Sequence, residues 1–549
     1  MKIVPRPISG SPLVVDYLAG REPALGLFGG LRPDRIESYR SKLDEVDARF
    51  DQEARLRLAG ELRGGGGEAE ERLARFVEDG GVAVTTGQQP GLLGGPLYTL
   101  YKALSASKLA ERLERVLHRP VIPVFWVASQ DHDWAEVRRT HLPDLSNNLA
   151  TVELELPGDM APHPFHVPDL GLGLAAAREA LLGHLPETDF SGAYRTALEA
   201  THTPGRTLAD AETSLLEGLL GPLGVFVLRP DAPEAARAAL PVLLAELAEA
   251  RDREEALRER AARLESGGYS LQVPLMDRGA NLFLSTDRGR ERLYRAPGGG
   301  FRTRHGQRER SVAELEAIAR TEPSRLTPNV LLRPVVETAL VPTLAYVAGP
   351  GETAYFPQTV PLFAAAGRTP PIVHPRLSAF VVESKVEKVL KKFELELDQL
   401  RRPHHELAGE LTREEIPDDL RGAMGGLRGE IARRCREIAD AVTGVDPTLK
   451  GTVDGVRSQG FAALDDLQKK VTQALKRENE IALQQLEKAQ LHLFPHGSPQ
   501  ERVFSPFYYL FRYGPRFISE LEAVAGEALL LEAAGEVREG SEAGQGSRR

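Results

Sequence analysis

Residues 81–129 read GVAVTTGQQPGLLGGPLYTLYKALSASKLAERLERVLHRPVIPVFWVAS. The apolar run Gly81–Thr86 has the length and β-branched content of a buried strand. A glycine turn follows, then Pro96–Leu117 with apolar residues at helical spacing, and Arg119–Ser129 is again apolar and strand-like. Strand, turn, helix and strand in that order spell a βαβ unit. Outward from this unit, GVFVLRP (Gly224–Pro230), TLAYVAGP (Thr343–Pro350) and PIVHP (Pro371–Pro375) are further strand-like runs, each beside a helical pattern. Such alternation predicts an α/β class with a Rossmann-like, doubly wound parallel sheet.

The rest of the chain hangs on that sheet. Residues 34–63 carry apolar positions at helical spacing, and the Gly64–Gly67 run then reads as a loop or hinge. The expected organisation is a first part of the core at 1–137, a connecting insertion at 138–222, a core strand within 223–236, a second insertion at 237–334 and the rest of the core at 335–382. The insertions hold shorter strand signals such as TVELELP, YSLQVPL and NLFLST. From 383 to 493 the texture is helical: Val386, Val389, Phe393, Leu397 and Leu400, then Ile431, Cys435, Ile438 and Val442, then Leu464, Leu467 and Val471 keep 3/4 spacing, which predicts a coiled-coil hairpin. Residues 494–535 are expected to pack back on the core and 536–549, rich in Gly, Ser and Glu, to be disordered.

The chain has 549 residues, a net charge of −10 and one cysteine. An acidic chain is poorly suited to phosphate backbones, so no nucleic-acid partner is expected. A single cysteine gives neither an intramolecular disulfide nor a thiolate metal cage. No apolar run is long enough to span a bilayer and the start of the chain lacks the order of a signal peptide, so no membrane partner and a cytoplasmic address are expected.

Chemistry concentrates at the predicted strand ends, where doubly wound sheets hold ligands. Thr86, Gly87, Gln88 and Gln89, with Gly94 and Gly95 further along, form a turn before a helix, an arrangement suited to phosphate or carboxylate. Its spacing is neither a Walker loop nor a dinucleotide fingerprint, and glycines that serve only positive φ would look the same. VFWVASQDHDW sets Asp131, His132 and Asp133 directly after a strand. A histidine between carboxylates suits proton transfer or metal ligation, or one of the acids caps the next helix. Gly349, Gly351 and Glu352 repeat the strand, glycine turn and helix pattern.

TGQQPGLLGGPLYTLYK, PVFWVASQDHD, LRPVVETALVPTLAYVAGPGETAYF, HPRLS and PQERVFSPFYYLFRYG closely resemble the BshC family of bacillithiol biosynthesis, over nearly the whole chain. The resemblance implies a Rossmann-like core with two connecting insertions and a C-terminal coiled coil that makes a homodimer. It implies a ligase that adds L-cysteine to glucosaminyl-malate, forming a carbon–nitrogen bond. The likeness of the family's core to class I aminoacyl-tRNA synthetases suggests carboxylate activation by a nucleotide, ATP with magnesium, and no structural metal is expected. Position by position it carries Thr86 to Gln89, Asp131 to Asp133 and Gly349 to Glu352. Many relatives have glutamate where this chain has Gln130, and the synthetases' nucleotide motifs are absent.

For such a reaction His132 is the candidate base, and Asp131 and Asp133 are candidate holders of the cysteine ammonium. The glycine turns are candidate anion sites. Tyr98 and Trp126 flank them, and Arg333 and Arg376 are candidate carboxylate clamps or, equally, salt-bridge residues. Cys435 reads as core. A metal-dependent hydrolase built on the Asp131, His132 and Asp133 cluster, and a coiled-coil scaffold, are the alternatives.

Overall fold

The computed structural model describes residues 1–156, 158, 162–306, 308–411 and 416–531. The expected disordered stretch 536–549 lies outside them. The chain divides into two units, residues 3–381 with the chain from 500 onward, and residues 1–2 with 382–499.

The larger unit is built on a six-stranded sheet. In chain order its strands are β1 (Arg63–Gly64), β2 (Val82–Gln88), β3 (Val121–Val127), β4 (Phe226–Leu228), β5 (Thr343–Ala348) and β6 (Ile372–Pro375). Across the sheet they run β6, β5, β2, β3, β4, β1. All are parallel except β1, which pairs antiparallel with β4. After β2 the chain builds outward through β3 and β4, then returns to the other side of β2 with β5 and β6. The sheet therefore reverses direction between β2 and β5, where a crevice opens beyond the carboxyl ends of the strands.

A parallel sheet needs cover on both faces, and the alternation of β2 supplies it. Val82 and Val84 lie in one apolar cluster with Leu109 and Leu113 of helix α1 (Tyr98–Leu117). Ala83 lies in the other, with Trp126, Phe226 and Tyr346 and with Leu243 and Leu247 of helix α2 (Pro233–Ser266). Helices α3 (Arg333–Leu340) and α4 (Pro350–Ala365) flank β5. A four-stranded antiparallel sheet, with Gly279–Thr286 between Gly289–Arg295 and Leu326–Pro328, carries Phe283 and Arg290. The last described helix of this unit, Pro515–Glu527, packs against α1, with Glu522 2.8 Å from Lys108.

In the other unit, Asp418–Val442 and Lys450–Leu493 form a helical hairpin. Arg428 pairs with Asp465 at 2.8 Å, and Ile431 lies beside Gly460, so the two helices run antiparallel. No described helix in either unit is long and apolar enough to cross a membrane.

Four local expectations change. The 34–63 stretch is two helices, Ile36–Asp47 and Gln52–Glu61, because the Asp51 side chain accepts from Ala54 N (2.8 Å) and starts a new one. Gly64 belongs to the sheet edge as well as to the turn, and Gly64, Gly65 and Gly66 all take positive φ. YSLQVPL forms no strand: the amides of Gln272 and Val273 donate to Gln358 Oε1 instead, each at 3.0 Å. The spacing from Val386 to Leu400 is not one helix, since Ser384–Lys392 ends before a separate 3₁₀ turn at Leu397–Arg401.

Candidate active site

The crevice at the switch point is a cavity of about 720 Å³. Gly87 and Gln88 at the end of β2 and Trp126 in β3 form its floor with Asp131–Asp133 beyond β3, and Gly349–Glu352 follow β5. Most candidates from the sequence reach its wall, and three do not. Thr86 is fully buried and its hydroxyl donates to Val347 O (2.8 Å), tying β2 to β5. Gly94 and Gly95 lie behind the wall. The glycine turn does bind an anion, but the anion is internal: the buried Glu212 carboxylate accepts from Leu93 N, a short contact, and from Gly94 N at 2.8 Å. Leu93 is held at φ 55°, a conformation that costs a branched residue energy. His202 Nε2 completes the carboxylate's partners at 2.9 Å. A glutamate in a distant segment left no mark that the sequence alone could reveal.

One side of the cavity is organised by Lys102, which falls one helical turn after Tyr98 in α1. Its Nζ donates to Gly87 O (2.7 Å) and Gln88 Oε1 (3.0 Å) and lies 2.6 Å from Glu352 Oε2. All three ammonium protons have acceptors, which is what a buried lysine requires to remain charged. Glu352 also accepts from Tyr346 OH (2.5 Å) and Gly349 N (2.8 Å). Burial pushes the Glu352 carboxyl up, but Lys102 and these donors outweigh it and hold it below the ordinary range. Gln88 Nε2 donates to Tyr98 OH (3.1 Å).

The two arginine candidates are already paired internally. Arg333 bonds Glu337 closely and reaches Tyr346 OH and Tyr355 OH, each at 3.2 Å. Arg376 Nη2 donates to Glu501 (2.7 Å), and its guanidinium stands 5.4 Å over the Tyr98 ring. Both still line the cavity.

On the other side, Asp131 is fully engaged. Gln89 Nε2 donates to Oδ2 (2.9 Å), and Oδ1 accepts from His132 N (2.8 Å) and Arg290 Nη1 (3.3 Å). Burial raises this carboxyl, but the Arg290 charge, the Gln89 side chain and the His132 amide together hold it well below the usual carboxylate range. Neither acid caps Trp134–Val137 through its side chain. Asp133 is exposed at the cavity edge. Glu136 shares the wall, and its carboxyl is raised by burial and by the like charges of Asp133 and Asp131.

Sequence reasoning missed Lys102, Glu136, Tyr346, Arg290, Arg292 and Arg502 on this wall. Lys102 had a signal, a lone lysine in an apolar helical run on the Tyr98 face. Arg290 had none, since it arrives from a strand of the second insertion. Gln130 lines the cavity too, with Nε2 donating to Pro230 O (3.1 Å).

The hydrolase reading has no matching donor set. Arg290 Nη1 lies 3.1 Å from His132 Nδ1. Among the described residues no three His, Cys, Asp or Glu side chains group as metal ligands. A scaffold reading leaves this polar cavity unexplained. Cys435 is buried in the helical hairpin.

Two family models match the chain. "Bacillithiol biosynthesis BshC, N-terminal Rossmann-like domain" covers residues 2–377, and "Bacillithiol biosynthesis BshC, C-terminal coiled-coil domain" covers 379–525. A Salinibacter ruber protein named "Putative cysteine ligase BshC" is 33% identical over 442 residues, 80% of each chain. Its namesake in Koribacter versatilis is 31% identical over 517 residues, 94% of this chain and 95% of the relative. With the two models matching residues 2–377 and 379–525 and relatives matching over 80–95% of their length, the chain belongs to the BshC family of bacillithiol biosynthesis.

Proposed function

We propose that this chain is a cysteine ligase that joins the carboxyl group of L-cysteine to the amine of glucosaminyl-malate, in the cytoplasm and as the last step of making bacillithiol. The observation that carries the reading is the cavity at the switch point, where side chains of both signs converge in a family whose members are named for that activity. Cysteine brings an ammonium and a carboxylate, and the malate end of the acceptor brings two carboxylates. Asp133 and Glu136 suit the first, and Arg292 and Arg502 the others.

Amide formation requires the C–N bond to form, a carboxyl C–O bond to break and the ammonium nitrogen to lose two protons, one before attack and one from the tetrahedral adduct. Glu136, with its raised carboxyl, is a better proton acceptor than Asp131. Since the reaction is uphill in water from a free carboxylate, the proposal includes consumption of ATP with magnesium, to AMP and pyrophosphate. Gly351, in the first turn of α4, lines the same cavity as Lys102 and Arg376 and offers the phosphate-friendly end of a helix.

A deletion strain tests the reading directly. It should accumulate glucosaminyl-malate, lack the thiol, and recover with the wild-type gene. A deletion strain with normal thiol would overturn it.

A further inference from the structure

We propose that Arg290 sets the tautomer of His132, making Nδ1 a hydrogen-bond acceptor and leaving an Nε2–H for the cavity. His132 then donates to a substrate oxygen and is not the base. The catalytic consequence rests on the ligase reading above; the tautomer does not.

A guanidinium can only donate. Arg290 Nη1 directs its hydrogen at His132 Nδ1 across 3.1 Å, so Nδ1 must offer its lone pair and the ring proton belongs on Nε2. The competing arrangement places a proton on Nδ1 and points it at Asp131 Oδ1. That separation is 3.5 Å, at the limit of a hydrogen bond, and the same oxygen already accepts from His132 N and from Arg290. Asp131 and Arg290 are the charged groups facing the ring, and Phe283 covers one side edge-on at 5.6 Å.

Arg290 cannot turn away. Its Nε donates to Thr327 Oγ1 (2.9 Å), Nη2 donates to Pro328 O (2.7 Å), and the guanidinium stacks 4.0 Å over Phe283. Two hydrogen bonds and a stacking contact on a buried arginine make it a rigid template. His132 Nε2 has no hydrogen-bond partner among the described residues, and the ring lines the cavity. An N–H there is placed to stabilise negative charge on a carboxyl oxygen under attack. Arg290 is thus a positioning residue, acting through His132.

The test is the long-range ¹⁵N–¹H spectrum of the full chain labelled with ¹⁵N-histidine at pH 7, with His132→Gln identifying the signal. The expected pattern is an unprotonated Nδ1 and a protonated Nε2. A proton on Nδ1, in a neutral or a doubly protonated ring, would overturn the proposal. Arg290→Met should give mixed tautomers and lower kcat for cysteine addition by roughly 100-fold, with KM changed less than about threefold. Arg290→Lys, which returns one donor, should recover part of the rate and is the variant to use if Arg290→Met does not fold. A folded Arg290→Met with the wild-type ring pattern overturns the idea whatever its rate. If the wild-type protein adds no cysteine, the ligase reading fails and the spectrum still decides the tautomer.

Discussion

Lys102 Nζ stands 2.6 Å from Glu352 Oε2, joining the helix that follows the first glycine turn to the helix that follows the second. The pair holds two strand-end turns at one spacing, because Lys102 also grips Gly87 and Gln88. Removing one member leaves the other charged and buried. Lys102→Met is therefore expected to destabilise the protein by roughly 3–5 kcal/mol, while the double variant Lys102→Met/Glu352→Gln loses less than the two single changes summed. Chemical denaturation of the four proteins checks this, and additive losses would contradict it.

The same pair gives an acid limb to stability. The Glu352 carboxyl is held below its ordinary value of 4.5, so its contribution is complete above about 4.5 and is lost as pH falls through the folded value. Lys102 is shifted down by burial more than Glu352 restores, a constant penalty across this range that fades only as pH becomes alkaline. The gap in melting temperature between wild type and Glu352→Gln should be widest near neutrality and close below pH 4.5. A constant gap across that range would show that Glu352 does not titrate as argued.

Glu212 should matter for the turn and not for the chemistry directly. Glu212→Ala strands two buried amides, each costing about 1–3 kcal/mol, and frees Leu93 from its positive φ. Faster amide exchange confined to residues 91–95 with a lowered melting temperature is the expected result. Glu212→Gln, which retains one acceptor, should fall between.

How much of this was legible follows from what each signal depends on. The sheet could be read because β3 is apolar at every position and β2 and β5 each lead into a glycine turn, features that survive without tertiary context. The placement of Asp131–Asp133 and Gly349–Glu352 followed from strand ends alone. What could not be read was pairing across distant segments. Glu212 replaces an expected external anion from a helix some 120 residues later, with a sequence separation of 119 to Leu93. Arg290 reaches Asp131 across a separation of 159. Neither carries a local motif, so the anion site at Gly94 and Gly95 was misplaced and the template for His132 went unseen.

His132→Ala and Asp133→Ala are expected to abolish cysteine addition with little change in melting temperature, since both are partly or fully exposed and support little packing. Asp131→Ala should behave differently and also destabilise, because Gln89, His132 N and Arg290 would all lose an acceptor. Full complementation of a deletion strain by the first two variants would sink their assignment.

Assembly can be tested on the helical hairpin. Leu427, Ile438, Val456 and Leu467 on its two helices are exposed, more apolar surface than an isolated hairpin usually leaves in water. We expect a homodimer through these helices, and Leu427→Glu/Leu467→Glu should return it to monomer in sedimentation at micromolar concentration. A wild-type monomer under those conditions would count against it.

The proposed nucleotide step makes the sharpest demand on the cavity. Gly87 sits where β2 meets the turn, and a Cβ there would come within 3.0 Å of Trp126 O and 3.2 Å of Trp126 Cβ. Neither neighbour can yield easily, because Trp126 is buried in the central strand beside β2. Gly87→Val should thus push the turn away from β3, pull Gly87 O from Lys102 and disturb both strand ends at once. The purified wild-type protein with cysteine, glucosaminyl-malate and ATP with magnesium is expected to form the amide and release AMP and pyrophosphate in equal amounts. Gly87→Val is expected to lose both products together. Should the wild type make amide from a pre-activated cysteine with no nucleotide consumed, activation occurs elsewhere and the cavity performs the transfer alone.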